Sequence, residues 1–181
     1  MNQKPFEVLG TQVLHQGRKF TFVEENYRRP DGTTGRIEKL LHPGAVVIVP
    51  QLVNKALILI HQYRPAPRKT LLEFPAGTLE PGESPLECAK REIIEECGYR
   101  AANWQELGTL YPAPGFCDEI QHCFLATSLA AATAERDEDE FIAPVHLRID
   151  EVETAISTHA LCDAKSIAIF ALARLSGLLK V

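Results

Sequence analysis

The chain has 181 residues, of which 45% are hydrophobic and 24% charged, with a formal net charge of -5 and a pI of about 5.7. This is an ordinary globular composition, which excludes a collagenous, coiled-coil or globally disordered chain, and the length suits one sizeable core. The acidic balance argues against unspecific nucleic-acid binding and against an anionic membrane surface; no apolar run reaches the length of a membrane span, and the first residues lack a signal-peptide core.

The first part of the chain reads as strands. Residues 6–16, 20–27 and 35–41 alternate partially, and Arg29-Pro30-Asp31-Gly32 is a turn signal between the last two. Residues 46–49 and 56–60 are continuous β-rich apolar runs, as strands buried on both faces should be, and residues 70–74 form another short strand. A glycine loop around Gly77 then leads to a helix start. Ser84 is the N-cap, Pro85 occupies the first turn, and Glu87 completes a capping box; Gly98 supplies the stop, so the helix covers about residues 85–97. Strands are expected at 107–111 and 121–127 around the loop 112–118. A small-residue loop follows at 130–134, an acidic loop at 135–140 and a strand near 141–147. Helices near 150–158 and 164–175 close the chain. Many strands with a few helices among them suggest a mixed α/β (α+β) sheet sandwiched between helices, after an N-terminal antiparallel strand region.

The five cysteines are odd in number and contain no Cys-x-x-Cys pair, so neither a disulfide framework nor a zinc site is indicated, and free thiols in a reducing cytoplasm are expected. His15, His42, His61, His122, His146 and His159 lack ligand spacing and read as structural.

The helix at 85–97 carries the chemistry. Glu92, Glu95 and Glu96 stand at i, i+3 and i+4 on one face. The like-charged Glu92–Glu96 pair costs about 0.2–0.5 kcal/mol in an isolated helix. The macrodipole disfavours each anion in the last turns by about 0.3–1 kcal/mol. A helix that opposes itself in this way calls for a cation, and carboxylates one turn apart suit a hard divalent ion that also bridges phosphate oxygens. Glu95 can pair with Arg91 at i−4, which leaves it orienting the site rather than leading the ligation. The competing reading is a solvated acidic face.

Gly77, Glu83, Arg91, Glu92, Glu95, Glu96 and Gly98 fit the pattern Gly-x5-Glu-x7-Arg-Glu-(apolar)-x-Glu-Glu-x-Gly-(apolar). This resembles the box of the Nudix hydrolases, which cut a nucleoside diphosphate linked to another moiety. Tyr99 departs mildly from the final aliphatic place, in packing rather than catalysis. The resemblance implies a Nudix fold, with residues 1–42 as a dimer-forming strand region and residues 43–181 as the hydrolase domain. It implies Mg²⁺, with Mn²⁺ as a substitute, held by Glu92, Glu96 and the carbonyl of Ala76, while Glu83 contributes through water or as a further ligand.

Beyond the box, three features resemble the ADP-ribose pyrophosphatase subgroup. The loop 135–140 resembles one that closes over the metals, where Glu140 matches a metal-linked glutamate and Glu138 its catalytic partner; a one-residue slip exchanges the two roles. Pro114-Gly115-Phe116 resembles the subgroup's proline marker, with Asp118 and Glu119 near metal or ribose, although an ordinary turn would read the same way. Arg64 resembles a diphosphate clamp and Glu73 a contact to the terminal ribose or a support of the site. Their alternatives are a surface arginine and a strand-edge salt bridge. Tyr27, Arg28 and Arg29 offer planes on which a purine can stack. In similar enzymes the N-terminal strands cross to a partner subunit, which implies a homodimer with exchanged strands and a shared base pocket.

The implied activity is hydrolysis of a nucleoside diphosphate sugar in the cytoplasm, ADP-ribose to AMP and ribose 5-phosphate foremost, with GDP-mannose or another nucleotide sugar as the close alternative. A non-catalytic nucleotide-sugar-binding domain is the rival of a different class, disfavoured because every box carboxylate is present. An mRNA decapping enzyme would need a basic RNA track that this charge pattern lacks.

Overall fold

A computed structural model describes residues 5–133 and 142–179. The chain divides into two units, one of residues up to Gly44 together with Tyr111–Ile120, the other of Ala45–Leu110 and the chain from Gln121 onward.

The first unit is built on an antiparallel sheet of β1 (Glu7–Gln16), β2 (Thr21–Arg28) and β3 (Thr34–Leu41), in that order. The turn between β2 and β3 closes where Gly32 N donates to the Arg29 carbonyl at 2.9 Å, with Gly32 at φ 89°. The segment Tyr111–Ile120 is tied to β3: Leu40 N donates to Phe116 O, Asp118 N to Leu40 O, and His42 N to Asp118 Oδ1, at 2.8, 3.2 and 2.8 Å.

The second unit carries two sheets. β10 (Ile142–Leu147), β5 (Leu57–Arg64) and β6 (Lys69–Glu73) form one. β7 (Ala76–Thr78), β4 (Ala45–Pro50), β9 (Gln121–Ala131) and β8 (Tyr99–Leu110) form the other, in which β4 and β9 run parallel and the remaining pairs antiparallel. β4 is buried at all six residues, and its side chains alternate between two cores. Val47 and Val49 pack with Leu57, Leu59 and Phe74 against α2 (Ile149–Ser157) and α3 (Ala164–Leu175). Val46 and Ile48 pack with Ile58, Ile60 and Phe124 against α1 (Pro85–Cys97), through Cys88, Ala89, Ile93 and Cys97. Helices on both faces explain why these strands read as continuous apolar runs. The result is the expected mixed α/β sandwich with an N-terminal antiparallel region.

The ends of α1 follow from its sequence. Ser84 Oγ accepts from Glu87 N, Glu87 Oε2 accepts from Ser84 N at 3.0 Å, and Gly98 takes φ 74° at the C-cap.

Several strand bounds differ from the sequence expectation. β8 starts at Tyr99, eight residues before the expected residue 107, because its first half pairs residue by residue with β9 and Trp104 packs edge-on against Phe124 with ring centroids 6.1 Å apart. β9 therefore takes in Ala130 and Ala131, which read as loop. β5 runs on to Arg64 because β6 pairs along its whole length. The stretch around Gly77, expected as a loop, is the short strand β7 paired with β4.

Candidate active site

Glu92 and Glu95 of α1, with Glu83 ahead of the helix, gather around one cation of the chain itself. Arg91 Nη1 donates to Glu92 Oε1 at 2.7 Å and to Glu95 Oε2 at 2.9 Å. Its Nε and Nη2 each donate to Glu83 at 3.0 Å, one bond to each oxygen, and Nη2 also reaches the Thr78 carbonyl at 3.3 Å. The forked guanidinium suits this task, since it offers five donors in one plane. Arg91 therefore answers part of the charge conflict read from the sequence, and Glu95 pairs with it at i−4 as expected. Glu83 lies in the loop before the helix, fixed also by Glu80 N at 3.0 Å. The two hydrogen bonds from Arg91 hold its carboxyl down at about 2, against the upward push of burial. The carboxylates in turn raise Arg91 above its ordinary value, Glu83 most of all.

Glu92 and Glu96 are buried carboxylates, 9% and 2% exposed. Glu96 Oε2 accepts from Ala76 N at 2.9 Å, which ties the helix to the start of β7. Glu92 lies against Gly77, where a Cβ would overlap its carboxyl. That close approach requires glycine at 77. The backbone at Ala76–Gly77 and the carboxylates of Glu92 and Glu96 thus come together. Among the described residues no three His, Cys, Asp or Glu side chains form a ready-made metal shell. The donors nevertheless fit a hard divalent ion, which takes oxygen ligands: the buried carboxylates of Glu92 and Glu96 lie against the adjacent backbone of Gly77 and Ala76. The nearby thiols do not compete. Burial, followed by the Glu92 charge, pushes Cys88 up to about 12, and burial pushes Cys123 up to about 12, so both stay protonated.

A second cluster joins Arg64 at the end of β5 to Glu73 at the end of β6. Arg64 Nε and Nη2 donate to the two Glu73 oxygens at 2.9 and 2.6 Å, and Lys165 Nζ donates to Glu73 Oε2 as well. Glu73 is 1% exposed. Burial would raise its carboxyl, but the Arg64 fork and the Lys165 charge outweigh it and hold it below the ordinary value. Sequence reading did not find Lys165. It stands 92 residues from Glu73, and its only neighbouring signal is Asp163, a helix N-cap.

Tyr27, Arg28, Pro114, Gly115, Phe116 and Glu119 lie in the first unit. Tyr27 packs on Phe6 with ring centroids 5.4 Å apart and carries the Arg29 guanidinium 5.3 Å from its centroid. Arg28 pairs with Glu7 at 2.6 Å on the surface. Pro114, Gly115 and Phe116 line a cavity of about 440 Å³ together with Ile37, Lys39 and Tyr111, and Glu119 is half-buried nearby in the chain. Glu138 and Glu140 lie outside the described residues.

This arrangement has a family. The NUDIX domain model matches residues 41–168, and the chain belongs to that family. Its relatives place it in the ADP-ribose pyrophosphatase subgroup. The ADP-ribose pyrophosphatase of Bacillus subtilis (strain 168) is 32% identical over 162 residues, 88% of each chain. The GDP-mannose pyrophosphatase of Yersinia enterocolitica (serotype O:8, biotype 1B) is 36% identical over 146 residues, 76% of each chain. A crystal structure of an ADP compounds hydrolase superposes with a TM-score of 0.86 at 27% identity, covering 100% of both chains. Hydrolases of this family generally use a divalent metal ion. Among the described residues no helix is long and apolar enough to cross a membrane.

Proposed function

We propose that the chain is a Mg²⁺-dependent pyrophosphohydrolase of nucleoside diphosphate sugars that converts ADP-ribose to AMP and ribose 5-phosphate. The observation that carries the reading is the meeting of the buried Glu92 and Glu96 carboxylates with Gly77 and Ala76. Glu92, Glu96 and the Ala76 carbonyl hold the ion, with Glu83 and Glu140 as further ligands; Mn²⁺ serves as a substitute. An ion held there would supply acidity to a bound water and positive charge opposite the leaving oxygen.

The residues of the chain do the rest. Arg91 and Glu95 hold the box carboxylates in place. Arg64 takes a diphosphate oxygen and Glu73 aims it. Glu138 or Glu140 accepts the proton of the attacking water. The water oxygen joins one phosphorus, the bridging P–O bond breaks, and the freed phosphate leaves with the electron pair. Pro114, Gly115, Phe116 and Glu119 contact the ribose side, and Tyr27 and Arg28 the base.

The exposed apolar side chains Val8, Leu9, Val13 and Leu14 of β1 support a homodimer that exchanges N-terminal strands. Five free cysteines accord with a cytoplasmic setting. The likeness to a GDP-mannose pyrophosphatase favours that substrate as the second reading.

A screen of nucleotide sugars with Mg²⁺, read as phosphate released after phosphatase coupling, tests the proposal. ADP-ribose should turn over fastest, and absence of turnover with every diphosphate-linked nucleotide removes the enzymatic reading in favour of a binding domain. Glu96→Gln should lose activity by orders of magnitude while keeping the fold; an active variant refutes the ligand assignment.

A further inference from the structure

Two cations meet one buried carboxylate at the end of β6. Arg64 occupies both oxygens of Glu73, so that carboxylate is already paired, yet Lys165 donates to the same Oε2. A second anion balances the set: Lys165 Nζ also donates to Asp163 Oδ2 at 2.9 Å. Asp163 is the N-cap of α3 and accepts from Ser166 N at 3.0 Å and from Ser166 Oγ at 2.6 Å. Ser166 Oγ accepts from Phe74 N at 2.8 Å. Phe74 follows Glu73, so the ring closes on itself: Glu73, Lys165, Asp163, Ser166, Phe74.

The ring fixes both the backbone and the carboxylate on which Arg64 rests. It also sets how Arg64 stands. Nε and Nη2 are spent on Glu73, while Nη1 makes no hydrogen bond to a described residue, and the side chain is 36% exposed. Glu96 and Asp163 add to the field on Arg64 after Glu73 itself. A fork held at two of its three nitrogens has one orientation left for the third. Lys165 shares the charge of Glu73, so Arg64 keeps positive charge to offer a phosphate oxygen.

We infer that Lys165 is a positioning residue for substrate binding, acting through Glu73 to aim the free Nη1 of Arg64 at the diphosphate. The inference rests on the proposed role of Arg64, and the test separates the two. Steady-state kinetics with ADP-ribose and Mg²⁺ would be compared for wild type, Lys165→Met, Lys165→Arg, Arg64→Ala and the Arg64→Ala/Lys165→Met pair, each with a melting curve. Lys165→Met should raise KM about tenfold with kcat within about twofold, and Lys165→Arg should recover most of that loss. On the Arg64→Ala background, Lys165→Met should add little, since its route to the substrate is gone.

If Arg64→Ala leaves KM unchanged, the reading of Arg64 falls. If Arg64→Ala raises KM but Lys165→Met raises it by its full factor on that background, or lowers only the melting temperature, the inference about Lys165 is overturned. Should Lys165→Met not fold, Asp163→Asn/Lys165→Met removes one charge of each sign, keeps a residue able to cap α3, and carries the same expectations.

Discussion

The Glu92 carboxyl lies in the space that a Cβ on Gly77 would fill. The two residues are 15 positions apart, one on β7 and one on α1, and each limits the other. Gly77 does not adopt a left-handed backbone, so alanine is sterically allowed by its own torsions, and the three atoms its Cβ meets first all belong to the Glu92 side chain. Gly77→Ala should therefore push Glu92 aside, strain its 2.7 Å bond from Arg91 and displace the metal ligand proposed above. The expected result is a loss of about 10- to 100-fold in kcat/KM with a raised Mg²⁺ requirement. A Mg²⁺ titration of activity beside a melting curve checks it; an unchanged titration would show that Glu92 is free to find another position.

A single guanidinium, that of Arg91, bonds to Glu83, Glu92 and Glu95 together. Replacing it with methionine leaves three carboxylates without that partner beside the buried Glu96. Partial exposure of the pairs moderates the cost, which we place at about 2–3 kcal/mol. Urea unfolding at pH 7 measures it. Millimolar Mg²⁺ should return part of the loss, because an ion that binds only the folded chain stabilises it. Arg91→Lys should recover less than half, since an ammonium cannot make the fork.

Glu83 gives a pH signature. Its carboxyl sits at about 2 in the fold against an ordinary 4.5, with the Arg91 bond as the main cause. A lowered folded value contributes stability at pH above 4.5, and that contribution is lost as pH falls from 4.5 through about 2. Wild type should therefore lose stability more steeply than Glu83→Gln across that window. Denaturant midpoints at pH 5, 4, 3 and 2.5 compare them, and parallel curves would mean that the Arg91 pair persists in the unfolded chain.

Much of this was legible in the sequence because its signals are local. Ser84, Pro85, Glu87 and Gly98 mark both ends of α1 within a few residues, and the observed bounds agree. The doubly buried strand β4 reads as an unbroken apolar run for the same reason. Only the last third of β8 is legible, since Tyr99–Glu106 has weak alternation of its own and becomes a strand by pairing with β9. The short strand β7 has a glycine at its centre, which reads as a loop until β4 supplies the partner.

The site divides along the same line. Arg91, Glu92, Glu95 and Glu96 share one helix, so helical spacing alone predicts that they meet. Lys165 meets Glu73 only through the tertiary packing of α3 on the sheet, and no spacing rule reaches across 92 residues. The Arg64–Glu73 pair falls between these cases. The two residues stand on adjacent strands but not opposite each other: Glu73 faces Ile60 and Arg64 faces Lys69, so the register brings them to one sheet and the reach of the arginine along it closes the gap.

The caps of α1 allow the fold and the site to be separated. Ser84→Ala removes a capping box and should cost about 1 kcal/mol. Gly98→Ala forces a Cβ into φ 74° and should cost about 1 kcal/mol as well. The two sites lie at opposite ends of a 13-residue helix, about 20 Å apart, so the double variant should lose their sum within about 0.5 kcal/mol. Activity should not follow the same rule. Glu96 stands two residues before Gly98, whereas Glu92 is eight residues beyond Ser84. Fraying at the C-terminal end reaches the proposed ligand Glu96 directly, whereas Glu83 at the N-terminal end lies outside the helix and is held by Arg91 and Glu80 N. Gly98→Ala should thus lower kcat/KM several-fold more than Ser84→Ala at equal loss of stability, with assays run well below both melting temperatures. Equal activities would mean that the bond from Ala76 N holds Glu96 in place even when the last turn of the helix loosens.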